Sequence, residues 1–421
     1  MHENSHSEST ALLLAVQTPD MTDFDLADSM REMRDLAYSI GCPVLGELVQ
    51  YRPRIHPGTF MGAGKLKEAK ELIKASEVDL AIFDADLSPS QGENLEKELG
   101  VMVIDRTQLI LEIFQRNART HEARIQVELA QLEYMLPRLV GMWAHLDRER
   151  GGIGGSKGAG EKQIDIDRSL IRHRIARLKK ELSHVARERD TQKRGREDCF
   201  RVTLVGYTNA GKSTLMNRLT AAEVLVKDQL FATLDSTTRV MSRANKPPIL
   251  LSDTVGFIKR LPHALVASFR STLEVARDAD LLVQVVDLSD ERFEHQMETT
   301  DLVLREIGAH TVPRLIVFNK VDLLEDRLIV GLTRKKFPEA LFVSASKDDA
   351  GEILRPVLQF FEEGMVTTPI MVDYAHSGEL SKIYRWSRVD EVTYEQDGIH
   401  LVITSTRANL NRIKAHVAIS A

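Results

Sequence analysis

The sequence predicts a multidomain α/β protein, and three observations predict it. Apolar strand-like runs alternate with amphipathic helical segments over the first hundred residues. Two heptad-spaced apolar seams bracket a glycine-rich basic connection. Beyond residue 198, four apolar runs each end in a short polar signature. The expected order is an N-terminal α/β domain over 1–105, then a basic antiparallel helical hairpin over 106–197. A P-loop α/β domain over 198–364 and a small C-terminal α+β domain over 365–421 follow.

In the N-terminal part, 11–17, 43–49, 79–83 and 101–104 read as strands, and 24–40, 66–76 and 90–99 as helices. The segment 57–65 carries Gly58, Gly62, Gly64 and Lys65, but Leu66 stands where a phosphate loop needs Ser or Thr. It reads as a glycine-rich turn leading into a helix. Asp84 and Asp86 form an acidic pair near a strand end, with no partner evident in the sequence.

The hairpin rests on two seams with 4-3-4-3 spacing. One is Ile125, Leu129, Leu132, Leu136 and Leu139; the other is Ile171, Ile175, Leu178, Leu182 and Val185. Joined by a loop, such helices pack seam to seam. Pro137 inside the first seam is expected to kink or interrupt it. The connection 141–163 is expected to be a loop, with six glycines from Gly151 to Gly160 and Arg148, Arg150, Lys157 and Lys162 interleaved. From 168 to 196 there are eleven Lys or Arg against three acidic residues, a local +8 on a chain of net charge −6. A basic loop at the tip of a rigid hairpin suits structured RNA; a solvated linker is the bland alternative.

Gly206-Tyr207-Thr208-Asn209-Ala210-Gly211-Lys212-Ser213 fits G-x-x-x-x-G-K-[ST]. An apolar run precedes it and a helical pattern follows, which is the context the pattern requires. Its N–H groups would cradle phosphates, Lys212 would reach the β- and γ-phosphates, and the Ser213 hydroxyl would ligate Mg²⁺. The run 249–252 ends in Asp253-Thr254-Val255-Gly256, a D-x-x-G. Asp253 would hold the Mg²⁺ shell through water and the Gly256 N–H would meet the γ-phosphate. The run 314–318 ends in Asn319-Lys320-Val321-Asp322, an N-K-x-D whose carboxylate accepts from guanine N1–H and its amine. Adenine offers no such donor pair, so GTP and GDP are the expected ligands. The fourth run ends in Ser344-Ala345-Ser346, resembling the base-backing S-A-K loop, with Lys347 following.

The γ-phosphate sensor is expected within Phe231-Ala232-Thr233-Leu234-Asp235. Thr233 is favoured as the second Mg²⁺ ligand, with Thr237 behind it. Lys212, Thr233 and Gly256 are the expected catalytic positions. Phe257 follows D-x-x-G where Ras-like GTPases carry a water-orienting Gln. Phenylalanine orients no water, so turnover is expected to be slow until a partner or a cation supplies what is missing. Asn209 is a candidate K⁺ ligand; the bland alternative is tolerance of an unusual backbone angle.

In the C-terminal part, 370–372, 389–395 and 399–404 read as strands, with Asp397-Gly398 as a hairpin turn. Helices are expected near 379–385 and 408–416. The composition, 43% hydrophobic and 28% charged, is that of an ordinary soluble protein. Cys42 and Cys199 match no metal spacing, and the run 11–16 is too short to span a membrane. A cytoplasmic monomer without stable membrane insertion is expected.

The arrangement resembles the HflX family of translation-associated GTPases over essentially the whole chain. Gly62-Ala63-Gly64-Lys65, Ser88-Pro89-Ser90-Gln91, Gly158-Ala159-Gly160-Glu161-Lys162-Gln163, the 231–235 segment and Asp253 to Phe257 carry the resemblance. It implies a GTPase that binds the large (50S) ribosomal subunit, through rRNA and ribosomal proteins, and splits or rescues ribosomes, the hairpin loop reaching toward the peptidyl-transferase centre. Lys157, Ala159 and Lys162 replace the Arg, Pro and Thr of the family's R-G-P-G-E-T-Q, Ser236 stands where the switch has Pro, and Ser346 departs from the base loop. The competing expectations are a ribosome assembly factor, a tRNA-modification GTPase of the MnmE type and an RNA-remodelling protein for which GTP is only a regulator. The MnmE type ends in a cysteine motif that this C-terminus lacks.

Overall fold

The computed structural model describes residues 9–139, 157–194, 199–220, 231, 237–242, 246–259, 270–347 and 351–416. These fall into two compact units. Unit 1 takes 1–186 together with 228–235 and 259–270; unit 2 takes 187–227, 236–258 and 271–421.

Unit 1 begins β1 (Ala11–Gln17), α1 (Asp23–Ser39), β2 (Val44–Tyr51), α2 (Ala63–Ala75), β3 (Leu80–Phe83), α3 (Pro89–Leu99) and β4 (Met102–Asp105). The four strands are parallel in the order β2-β1-β3-β4. Six of the seven residues of β1 are buried, as a central strand with both faces covered requires. Side chains fix the helix starts. Thr22 and Asp25 close a capping box on α1; Ser88 and Gln91 close another on α3, with Pro89 as its first residue. Gly100, at φ 79°, ends α3 in the left-handed conformation.

Three helices follow: α4 (Arg106–Asn117), α5 (His121–Met135) and α6 (Lys157–Arg194). Ile125, Leu129 and Leu178 form a buried seam, with Leu132, Ile175 and Leu182 packed against it. Polar pairs flank the seam, a Glu128–Arg174 ion pair at 2.7 Å and a His121–Glu181 hydrogen bond at 3.0 Å, and their order makes α5 and α6 antiparallel. Helix α5 stops at Met135, ahead of Pro137, so the seam is interrupted there, one of the two outcomes expected of the proline. One expectation changes. Helix α6 begins at Lys157, so 158–163, expected as loop, is helical. The long helix extends through Gly158 and Gly160, each a loss of about 1 kcal/mol relative to Ala, because propagation adds a hydrogen bond per residue once a helix exists. The rest of the expected loop, 141–156, lies outside the described residues.

The ends of β3 and β4 carry a buried charge cluster. Arg106 and Thr107 open α4 and reach the acidic pair at the end of the neighbouring strand. Arg106 Nη1 donates to Asp84 Oδ1 at 3.0 Å and Thr107 Oγ1 to Asp86 at 2.5 Å. Arg106 Nη2 bonds Glu32 of α1 and the Lys259 carbonyl, the latter at 2.9 Å. Lys259 Nζ pairs with Asp28 at 2.8 Å. Asn117 Nδ2 donates to the Phe231 carbonyl at 3.0 Å, and the Phe231 ring meets Phe114 edge to face at 4.7 Å. Unit 1 therefore binds backbone from both segments that flank the phosphate signatures in sequence.

Unit 2 opens with β5 (Phe200–Val205), α7 (Lys212–Thr220), β6 (Thr238–Ser242), β7 (Ile249–Asp253) and α8 (Arg270–Arg277). It continues with β8 (Leu281–Asp287), α9 (Phe293–Glu306), β9 (Arg314–Asn319), α10 (Leu328–Lys336), β10 (Leu341–Phe342) and α11 (Gly351–Glu363). The sheet order is β10-β9-β8-β5-β7-β6, parallel except for β6. A second, antiparallel sheet has the order β11-β13-β12. Its elements are β11 (Val366–Val372), α12 (Leu380–Trp386), β12 (Arg388–Glu395), β13 (Gly398–Ser405) and α13 (Arg407–His416). Ile370, Leu401 and Ile403 pack with Ile383 of α12 and Ile413 of α13. No helix among the described residues is long and apolar enough to cross a membrane.

Arg106 is 2% exposed and answers two buried carboxylates. Replacing it by Met leaves those charges uncompensated, which costs about 3–5 kcal/mol. Arg106→Met is expected to lower the unfolding free energy of unit 1 by that amount in urea titrations, and a loss below about 1 kcal/mol would contradict the cluster's role.

Candidate functional site

All four sequence signatures follow the carboxyl ends of strands in one sheet, β5, β7, β9 and β10. Ligands of parallel sheets bind outside those ends. Between β5 and α7 the loop turns through three left-handed residues, Gly206 (φ 144°), Asn209 (φ 58°) and Gly211 (φ 94°). A Cβ at 206 would lie 2.2 Å from the Val285 carbonyl oxygen, and one at 211 the same distance from Asn319 Nδ2. Both positions therefore require glycine on two counts, conformation and space. Asn tolerates the third.

The D-x-x-G segment is tied to this loop by backbone. Thr208 N–H donates to the Phe257 carbonyl at 2.8 Å, and Phe257 N–H to the Gly206 carbonyl at 3.1 Å. A Cβ on Gly256 would meet the Thr208 backbone at 2.8 Å and Lys212 Nζ at 3.0 Å. Thr254 is fully buried, its hydroxyl donating to the Leu204 carbonyl at 2.8 Å, and Val255 is buried too. These two residues shape the segment, leaving Asp253 and Gly256 for chemistry. The Phe257 ring is 1% exposed and is a core side chain.

Ser213 Oγ donates to Asp253 Oδ2 at 2.9 Å. Two hard oxygens so placed suit Mg²⁺. Lys212 Nζ donates to the carbonyls of Gly206 at 3.1 Å and Tyr207 at 2.7 Å. Burial pushes its ammonium down to about 8, against the opposing pull of Asp253. The buried Thr208 hydroxyl has no hydrogen-bond partner. A buried cation, an orphaned hydroxyl and two cradles that only glycine permits fit a bound phosphate chain.

In the base-side loops, Asn319 Nδ2 donates to the Ala210 carbonyl at 2.8 Å and its Oδ1 accepts from Ala345 N–H at 2.9 Å. Lys320 sits at φ 61° with Nζ 2.8 Å from Asp287. Val321 N–H reaches the Val343 carbonyl at 3.4 Å. Asp322 pairs with Lys347 at 2.9 Å, and the Ser344 hydroxyl followed by Lys347 holds its carboxyl below the usual range. Ser344 and Ser346 hydroxyls lie 3.1 Å apart. Asp287 and Lys347 thus join the site without having been expected there. Lys347 had a signal, being one position past the usual Lys.

The structure brings together 206–213, 253–256, 319–322 and 344–346 in unit 2. Phe231 belongs to unit 1, and Ala232, Thr233, Leu234 and Asp235 lie outside the described residues.

Lys212 with a depressed pKa is partly neutral at pH 8 and must regain its proton beside a phosphate. Nucleotide affinity is therefore expected to fall about tenfold per pH unit above pH 8. Binding at pH 8 should take up protons, read by calorimetry in buffers of different ionisation enthalpy. The sign follows from the free loop binding fewer protons than the complex. A flat profile between pH 7 and 9.5 would contradict it.

The geometry agrees with what the chain is similar to. A family model described as GTP-binding GTPase N-terminal matches 27–115, GTP-binding GTPase Middle Region matches 117–196, and 50S ribosome-binding GTPase matches 201–320. A relative named GTPase HflX from Gluconacetobacter diazotrophicus is 41% identical over 97% of this chain and 98% of its own. Another GTPase HflX, from Escherichia coli, is 42% identical over 89% of each chain. The crystal structure of a GTP-binding protein from the hyperthermophilic archaeon Sulfolobus solfataricus in complex with GDP is 25% identical, with a TM-score of 0.43 over 84% of this chain and 98% of that one. Matched at about 40% identity along nearly its full length, this chain belongs to the HflX family of GTPases.

Proposed function

We propose that the protein is a slow GTP-hydrolysing switch that binds the large ribosomal subunit and couples its nucleotide cycle to splitting or recycling of ribosomes. The observation that carries this reading is the combination of a base acceptor at Asp322 with a buried phenyl ring at Phe257. The first selects guanine; the second leaves hydrolysis to a partner. The 50S ribosome-binding description of the matching family model supports the identity of that partner.

In this reading the loop 206–211 and the N-terminus of α7 hold the phosphates. Lys212 supplies the cation at the β/γ bridge. Ser213 and Thr233 would hold Mg²⁺ with Asp253 beside them, and Asn209 would add a K⁺ ligand. Held there, Mg²⁺ would supply positive charge for the phosphoryl group in transfer. The Gly256 N–H contacts the γ-phosphate, and 344–346 back the base. The protein works as a cytoplasmic monomer in four segments, 1–105, 106–197, 198–364 and 365–421. The basic α6 and the glycine-rich basic sequence before it would contact rRNA.

Two measurements test this. Asp322→Asn is expected to weaken GTP by about a hundredfold or more while restoring binding to xanthosine triphosphate; unchanged GTP affinity would remove the guanine assignment. Purified large subunits are expected to raise GTP turnover by about a hundredfold or more, measured in K⁺ and Na⁺ buffers. Turnover that ignores subunits would end the ribosomal reading, and equal rates in the two salts would end the role of Asn209.

A further inference from the structure

The β11-β13-β12 sheet buries one face and leaves the other accessible. Its apolar alternates pack on α12 and α13. On the opposite face, strand register sets two cross-strand rows, Pro369–Val402–Glu391 and Met371–His400–Thr393. A groove of about 320 Å³ runs between them, lined by these six residues together with Ile370 and Leu401. Glu391 and Thr393 are exposed; Met371, His400 and Val402 are half-buried.

Charge in this part of the chain is sorted by face. Asp390, Glu391, Glu395 and Asp397 all lie on β12 or the turn into β13. Arg388 there pairs with Asp390 at 2.8 Å, and the His400 ring hydrogen-bonds Asp397 at 3.0 Å. Lys382, Arg385, Arg407, Arg412 and Lys414 all lie on α12 and α13, across the sheet. A groove with a methionine and a valine on its floor, the Glu391 carboxylate on its wall and Glu395 further along the same strand repels phosphodiesters. It matches an extended chain in which cationic and apolar side chains alternate. Period-two spacing sends every second residue toward Met371 and Val402, and leaves the cations beside Glu391 and Glu395.

We propose that this face docks a basic, extended polypeptide segment, and, resting on the ribosomal reading above, that the segment belongs to a protein of the large subunit. The C-terminal module then recognises protein, while RNA contact is left to the basic helix α6.

The test places a photo-crosslinking residue at position 393 in the full chain. It is offered an alternating Lys-Val dodecapeptide, a Glu-Val dodecapeptide, an oligouridine of the same length and, separately, purified large subunits. Crosslinking to the Lys-Val peptide alone is expected, and in the subunit arm to a Lys/Arg-rich stretch of protein. Glu391→Lys with Glu395→Lys should weaken peptide binding by about tenfold or more at low salt, with GTP affinity unchanged as the check on folding. Crosslinks to RNA or to a second copy of this chain, or peptide binding indifferent to the double substitution, would overturn the proposal. Subunits that co-sediment without a protein crosslink at 393 overturn the docking and spare the ribosomal reading. A peptide that docks on a protein that ignores subunits supports the surface and removes its ribosomal source.

Discussion

One buried amide holds the nucleotide site together. Asn319, 3% exposed, donates to the phosphate loop at Ala210 and accepts from the base-side loop at Ala345. Its Nδ2 occupies the space a side chain at 211 would need, so the glycine of the phosphate loop and the asparagine of the base signature are one steric arrangement. Truncating the amide would orphan a buried carbonyl and a buried N–H together, each worth about 1–3 kcal/mol. The remaining positions of Asn319-Lys320-Val321-Asp322 divide the work. Lys320 is pinned to the end of β8 through Asp287, Val321 to the strand end before the base loop, and the Asp322 carboxylate is kept ionised.

The phosphate side is organised by a cation in place of an amide. Lys212 lies against carbonyls of its own loop, and its burial, from 10.5 down to about 8, marks about 3 kcal/mol of lost preference for the charged form. A polyanion restores that preference. The loop is thus shaped by groups that are poorly matched to one another and well matched to phosphate, a common arrangement at functional sites.

The four signatures were legible because each is local: a glycine turn, an acid or an amide directly after an apolar run. Their assembly in one sheet followed from the rule on strand ends. The partners of Asp84 and Asp86 were not legible, because Arg106 and Thr107 stand about twenty residues on and become neighbours only when β4 pairs with β3. Strand β8 carries no chemical signature, so its central place went unread, although Leu281 to Val286 is a continuous buried run. The first turn of α6 was misread because glycine count speaks for local preference, whereas helix length decides cooperativity. The meaning of Phe257 was half legible. Sequence excluded a water-orienting side chain; burial adds that the ring belongs to the core.

The division of the chain into two units falls within three consecutive residues. Phe257 is bonded through its N–H and carbonyl to the phosphate loop. Lys259 is bonded through its N–H to Glu32 and through its carbonyl to Arg106. Only Ile258, 1% exposed, lies between. The charge cluster is hard to strain gradually, since Arg106 answers two buried carboxylates and the Lys259 carbonyl at once. Buried charge networks of this kind are intact or disrupted rather than partly stretched, because an uncompensated charge in low dielectric is so costly.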